Sequence, residues 1–154
     1  MKNLFVFLCR KYDEKQSLTM KKILLKNDIS ELRKLFQLTD ELQQELELTP
    51  DIIFNLNLAL EEAVTNTILY AYPGTEGEIE LTIAQADDNL YFTITDKGVA
   101  FNPLTDAPEA DVTSSAQERE IGGLGVFLFT QLMDLVEYER NCDSNILRMT
   151  KKIK

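Results

Sequence analysis

The chain has 154 residues, 44% of them hydrophobic, with 16 Lys and Arg against 26 Asp and Glu and a formal charge of -10. That length suits one domain burying about two-thirds of the surface its unfolded chain would expose, and the acidic balance argues against a nucleic-acid or anionic-membrane partner. With no histidine, and with Cys9 and Cys142 far apart, the chain lacks Ser-His and Cys-His nucleophile systems, zinc-ligand spacing and a phosphohistidine of its own, so any general base must be a carboxylate, Lys or Tyr.

At the N-terminus an apolar run after Lys2 stops at Cys9, before Arg10 and Lys11. It falls short of the ~7–15 apolar residues of a signal-peptide core and has no small-residue cleavage site, and no later stretch reaches the ~18 apolar residues of a membrane span. The expectation is a cytoplasmic protein. Met20 offers an alternative start, which makes residues 1–19 an N-terminal extension ahead of a single domain over 20–154. Leu18 to Lys26 predicts a first strand. Asp28 or Ser30 caps a helix running to about Leu46, with Ile29, Leu32, Leu35, Phe36, Leu42 and Leu46 near helical spacing. Thr49 as N-cap, Pro50 at the first helical position and Asp51 in the first turn open a long helix that Pro73-Gly74 ends.

Gly77 to Ala86 and Asn89 to Thr95 alternate as two strands joined through Asp87-Asp88. From Lys97 to Glu120 the chain is polar and without periodicity, longer than ordinary connections and suited to a lid or binding loop. An apolar helix then runs to about Met133. The segments "LVEYER" and "NILRMTKKI" form a final hairpin turning at "NCDSN". The order predicts an α+β fold, one largely antiparallel sheet with helices on one face.

On the long helix, Leu56, Leu60, Ala63, Val64 and Thr67 share one side, while Asn55, Glu62 and Asn66 share another that also carries Leu58, Ala59 and Leu69. Glu62 and Asn66 are therefore expected in a half-buried cleft, although a solvent-facing polar pair is the alternative. A carboxylate and an amide one turn apart suit a proton acceptor beside a ligand for a hard cation. Asp96 ends an apolar strand with Gly98 two residues on, a pattern that a simple turn also uses. "REIGGLGVFLF" sets three glycines at the start of an apolar helix, where free N–H groups favour a phosphate and where a tight turn is the alternative.

Taken in order, "EEAVTN", "DKGVAFNP" and "IGGLGVFLFTQLMDLVEYER" resemble the N, G1 and G2 boxes of the GHKL, histidine-kinase-like ATPases, most closely the anti-sigma-factor serine/threonine kinases of bacterial partner-switching systems. The resemblance covers roughly residues 17 to 154. It implies a Bergerat-type two-layer α/β sandwich, with a mixed, mostly antiparallel sheet and ATP between helices and sheet under a lid. By position it implies Glu62 as catalytic base, Asn66 as Mg²⁺ ligand and Asp96 as the carboxylate accepting from the adenine amino group. Gly98 would let the backbone pass the nucleotide, Gly123 and Gly125 would hold phosphates, and Gly122 would loosen the lid hinge. Arg119 and Lys97 are further phosphate candidates. Ala100 stands where the wider superfamily often has a second glycine.

The activity implied is phosphoryl transfer from Mg-ATP to a serine of a small anti-sigma-antagonist protein, in transcription regulation. A sigma factor is a further partner, direct nucleic-acid or membrane contact is not expected, and the family commonly dimerises. The alternative is a nucleotide-responsive binding module that sequesters a sigma factor or another regulator with little or no kinase activity. The catalytic half of a sensor kinase fits less well, because no histidine helix is present.

Overall fold

The computed structural model of the protein describes residues 19–107 and 123–154. Five strands, β1 (Thr19–Lys26), β2 (Glu78–Ala86), β3 (Asn89–Asp96), β4 (Leu135–Asn141) and β5 (Ser144–Lys152), form one sheet in the order β1-β2-β3-β5-β4. All four pairings are antiparallel. Helices α1 (Leu32–Leu46), α2 (Pro50–Tyr70) and α4 (Gly123–Leu132) pack together, and a single turn, α3 (Pro103–Asp106), lies in the loop after β3.

The alternation of the strands decides which face the helices cover. Ile79, Leu81 and Ile83 of β2, Leu90, Phe92 and Ile94 of β3 and Leu147 and Met149 of β5 are buried, and each alternates with a half-buried polar or β-branched neighbour. Against them α2 buries Ile53, Leu56, Ala59, Leu60, Ala63, Val64 and Ile68. Helix α4 contributes Val126 and the fully buried Phe129. It is fixed at its end by Lys151 of β5, whose ammonium donates to the Leu132 carbonyl at 2.8 Å, where a cation also suits the helix dipole.

The element ends follow local chemistry. Thr49 Oγ1 accepts from the Ile52 N–H, and Pro50 opens α2. Asp28 caps by accepting from the Ser30 N–H at 2.7 Å, but it starts a 3-10 turn over Ile29–Glu31 that leads into α1. The turn after α2 puts Gly74 at φ 72, with the Thr75 N–H on the Tyr72 carbonyl at 3.3 Å. The two hairpins each hold one non-glycine residue at positive φ, Asp87 at 52 and Cys142 at 53. The one element with no counterpart in the sequence reading is α3. Its cap was nevertheless written in "FNP": Asn102 Oδ1 accepts from the Leu104 N–H at 3.0 Å, and Asp106 accepts from the Asn102 N–H at 2.8 Å.

Tyr72 fastens the end of α2 to the sheet. Its hydroxyl donates to the Glu78 carbonyl at 2.6 Å and accepts from the Lys97 N–H at 2.9 Å, while its ring lies where a side chain at Gly77 would stand. Gly77 to Ala must displace that ring, whereas Gly74 to Ala meets open space and only the positive-φ penalty. Gly77→Ala is therefore expected to destabilise by about 1–3 kcal/mol and Gly74→Ala by about 1 kcal/mol, in that order, read from urea unfolding midpoints.

Candidate functional site

A small cleft, with a cavity volume of about 50 Å³, opens between α2, the end of the sheet and the loop after β3. Its floor is apolar, from Ile94, Leu147 and Phe129. Ala63, Asn66 and Thr67 of α2 form one wall, and Val99, Phe101 and Pro103 form another, the last two held by α3. The polar end is Asp96 with Asn145 and Tyr138.

Asp96 continues the inward phase of Leu90, Phe92 and Ile94, so the alternation that builds the core also turns a carboxylate toward the helix layer. It is only 6% exposed. A buried carboxylate needs donors, and the Oδ1 atom has two, the Gly98 N–H at 2.8 Å and Asn145 Nδ2 at 2.8 Å. Among the described residues Oδ2 has no donor and stays available to a ligand.

Gly98 is required at this turn for a reason different from the one the sequence suggested. A side chain there would strike the carbonyl and side chain of Ala71, just past α2. The close approach lets the Val99 N–H reach the Ala71 carbonyl at 2.8 Å. The glycine thus joins the end of α2 to the end of β3. Ala100 is exposed and lies outside the positive-φ region, so no glycine is needed at that place.

Glu62 and Asn66 are both half-buried on α2, as the mixed face of that helix predicted. Gly125, in the first turn of α4, sits directly against them. A side chain at Gly125 would run into Glu62 Oε2 and lie 3.7 Å from Asn66 Nδ2. Burial, and then the neighbouring Glu61 carboxylate, push Glu62 above the usual carboxylate range. The Asn66 amide nitrogen is buried without a hydrogen-bond partner among the described residues, so its amide is uncommitted and able to turn either end to a ligand. Gly123 is the first described residue of α4. Gly122 and Arg119 lie outside the described residues. Lys97 is not drawn into the cleft, its ammonium being exposed and 3.9 Å from Asp143.

Three residues at the site were not singled out from the sequence: Asn145, Tyr138 and Arg140. The signal for the first is its phase, since Asn145 is the polar member of the inward series with Leu147 and Met149. Among the described residues no cluster of three or more Cys, Asp or Glu is placed to hold a metal. A cation here would be of the kind held through one or two protein ligands and substrate phosphates, as Mg²⁺ commonly is. No helix of the described residues is long and apolar enough to cross a membrane.

Comparison with known proteins gives the same frame. Residues 25–151 match the histidine kinase-like ATPase domain family. The chain is 37% identical over 91 residues to the serine-protein kinase RsbW of Listeria monocytogenes serovar 1/2a, covering 56% of this chain and 58% of that relative. It is 30% identical over 106 residues to the serine-protein kinase RsbW of Bacillus mycoides, covering 67% of this chain and 66% of that relative. The chain thus spans less than two-thirds of the Listeria relative, at 58%. The crystal structure of the RsbU and RsbW domains of a Mycobacterium tuberculosis protein shares the fold, with a TM-score of 0.63 at 17% identity over 88% of this chain and 32% of that one.

The raised Glu62 has a thermodynamic signature. A carboxyl that binds its proton more tightly folded than unfolded penalises the folded state once pH rises through the raised value, and acidification below the unfolded value removes that penalty. Glu62→Gln should therefore raise the melting temperature at pH 7, and the gain should shrink to nothing as pH falls below the ordinary Glu range. Melting curves of both proteins across pH 4–8 check the sign, and a gain independent of pH would contradict it.

Proposed function

The chain belongs to the histidine kinase-like ATPase domain family, and on that premise we propose that it binds Mg-ATP in the cleft and phosphorylates a serine on a small anti-sigma-factor antagonist protein. The observation that carries the reading is the convergence of Glu62, Asn66 and Gly125 on one spot beside the apolar cleft that ends at Asp96. Similarity to relatives named serine-protein kinases supports the reaction class and the acceptor. The fit to the ligand rests on the chain itself: an Asp96 oxygen that has no donor among the described residues, a buried amide nitrogen at Asn66 likewise without a partner among them, and Gly125 of α4 at the closest approach.

When bound, Mg-ATP supplies the transferable phosphoryl group, and its cation offsets phosphate charge. The protein's part is to place and orient, since phosphoryl transfer asks for little covalent chemistry from the enzyme. Asp96 holds the amino group of the base, and Ile94, Leu147 and Phe129 exclude water from the ring. Asn66 is placed to hold the cation through its amide oxygen. The first turn of α4, at Gly123 and Gly125, offers N–H groups to phosphate oxygens. Glu62 accepts the proton of the serine hydroxyl at its carboxylate, and its raised affinity for a proton suits that role near neutral pH.

A catalytic chain of this kind works with the antagonist as substrate and a sigma factor as the partner released or held, both in the cytoplasm. The test is transfer of radiolabel from γ-labelled ATP to the serine of an antagonist-type protein. Glu62→Gln should bind ATP normally and lose transfer by at least about 10²-fold, the usual contribution of a positioned base. Near-normal transfer by that variant removes Glu62 from the role, and absence of transfer by the wild type favours the nucleotide-responsive binding module.

A further inference from the structure

Asp96 and Asn145 face each other across the β3–β5 pairing and are 6% and 7% exposed. The donor and acceptor ends of Asn145 are fixed by its other neighbours. Arg140 can only donate, so the atom 2.9 Å from its Nη1 is the amide oxygen, which also accepts from the Tyr138 hydroxyl at 2.7 Å. The amide nitrogen is thereby aimed at Asp96 Oδ1, 2.8 Å away, and at the Val99 carbonyl, 2.9 Å away. Arg140 Nη1 donates to the Gly98 carbonyl as well, at 3.0 Å. The hydrogen bonds thus run in one direction, from β4 through Asn145 to the carboxylate. Asp96 Oδ1 thus accepts from two donors, and Oδ2 has none among the described residues.

We propose that Asn145, locked by Arg140 and Tyr138, is a positioning residue that fixes the direction in which the acceptor-only Asp96 carboxylate meets the base, and so sharpens the choice of a purine with a 6-amino group over one with a 6-oxo group. The inference rests on the reading that the cleft takes a nucleotide base at Asp96. Asparagine is suited to this place because one end accepts and the other donates. An aspartate would set a second carboxylate against Asp96, and leucine would fill the space while leaving the Tyr138 hydroxyl and the Val99 carbonyl without their Asn145 partner and Arg140 with the Gly98 carbonyl alone. With its Asn145 bond gone, Asp96 Oδ1 keeps only the Gly98 N–H, so its carboxylate is less closely fixed and a 6-oxo purine meets a less rigidly aimed lone pair.

The test is calorimetric binding of ATP and of ITP, which differ by amino against oxo at position 6, to the wild type, Asn145→Leu, Asn145→Thr and Arg140→Met, each checked by its melting curve. The wild type should prefer ATP by about 10²-fold or more, since a site built around one hydrogen-bond pattern rejects the analogue that lacks it. Asn145→Leu should narrow that ratio about tenfold, chiefly by weakening ATP, the size expected for one buried hydrogen bond to a charged group. Arg140→Met should narrow it by a smaller factor. Asn145→Thr, whose hydroxyl both accepts and donates, should restore most of it. A merely structural role lowers both affinities together and leaves the ratio unchanged, and that result overturns the proposal. If Asn145→Leu does not fold, the ratios for Arg140→Met and Asn145→Thr decide. A wild type that binds neither triphosphate, or a preference that survives Asp96→Asn, overturns the base-at-Asp96 reading and this proposal with it. A wild type that prefers ATP, with variants that keep its ratio, overturns this proposal alone.

Discussion

The hydrogen bond from the Val99 N–H to the Ala71 carbonyl, 2.8 Å long, joins the two halves of the site. On one side stands α2 with Glu62 and Asn66. On the other is the end of β3 with Asp96. The bond forms only because Gly98 has no side chain to hold Ala71 away. The same glycine turns its N–H onto Asp96 Oδ1, so a single residue sets the distance between helix and sheet and also half-satisfies the buried carboxylate. Tyr72 repeats the connection one turn further out, tying Glu78 and Lys97 to the segment after α2. The spacing of Glu62, Asn66 and Asp96 is therefore built into backbone contacts, which are harder to deform than side-chain contacts.

A second close approach does for the α4 end of the site what Gly98 does for the Asp96 end. Gly125 brings the start of α4 against Glu62 and Asn66, and α4 is held from behind by buried Phe129 and at its C-terminus by Lys151. Desolvation of Glu62 follows from this packing. The burial that raises Glu62 thus costs the folded state something at neutral pH, a pattern common at functional sites.

Much of this was legible from the sequence because it is written locally. Thr49-Pro50 and Pro73-Gly74 punctuate α2, and its mixed polar face placed Glu62 and Asn66 in a half-buried setting before any coordinates. The alternation of β3 ends at Asp96, so the carboxylate's inward direction could be counted off. The partners of Asp96 could not be. Asn145 lies 49 residues away, and its place opposite Asp96 is a property of strand order and register, which put β5 rather than β4 beside β3. Arg140 looks like surface charge in sequence and acquires its role only from the β4–β5 pairing. Gly98 was recognised as necessary, but what crowds it is Ala71, 27 residues earlier. The short helix α3 escaped for another reason: four residues are too few for a periodicity, and only the Asn102-Pro103 cap announces it.

The insertion of β5 between β3 and β4 also bears on how the protein is made. While a ribosome is still extending the chain, β1, β2 and β3 can pair with the helices, yet β3 keeps a bare edge beside Phe92 and Ile94 until the hairpin of β4 and β5 is complete and docks. Pairings between residues so far apart in sequence form late and slowly, and an open apolar edge in the meantime invites association with other nascent chains. The base end of the cleft, being shared by β3 and β5, comes into existence only at that docking step. Nucleotide binding would therefore act as a report that the sheet has closed, and ATP present during synthesis would draw the chain past its most aggregation-prone stage.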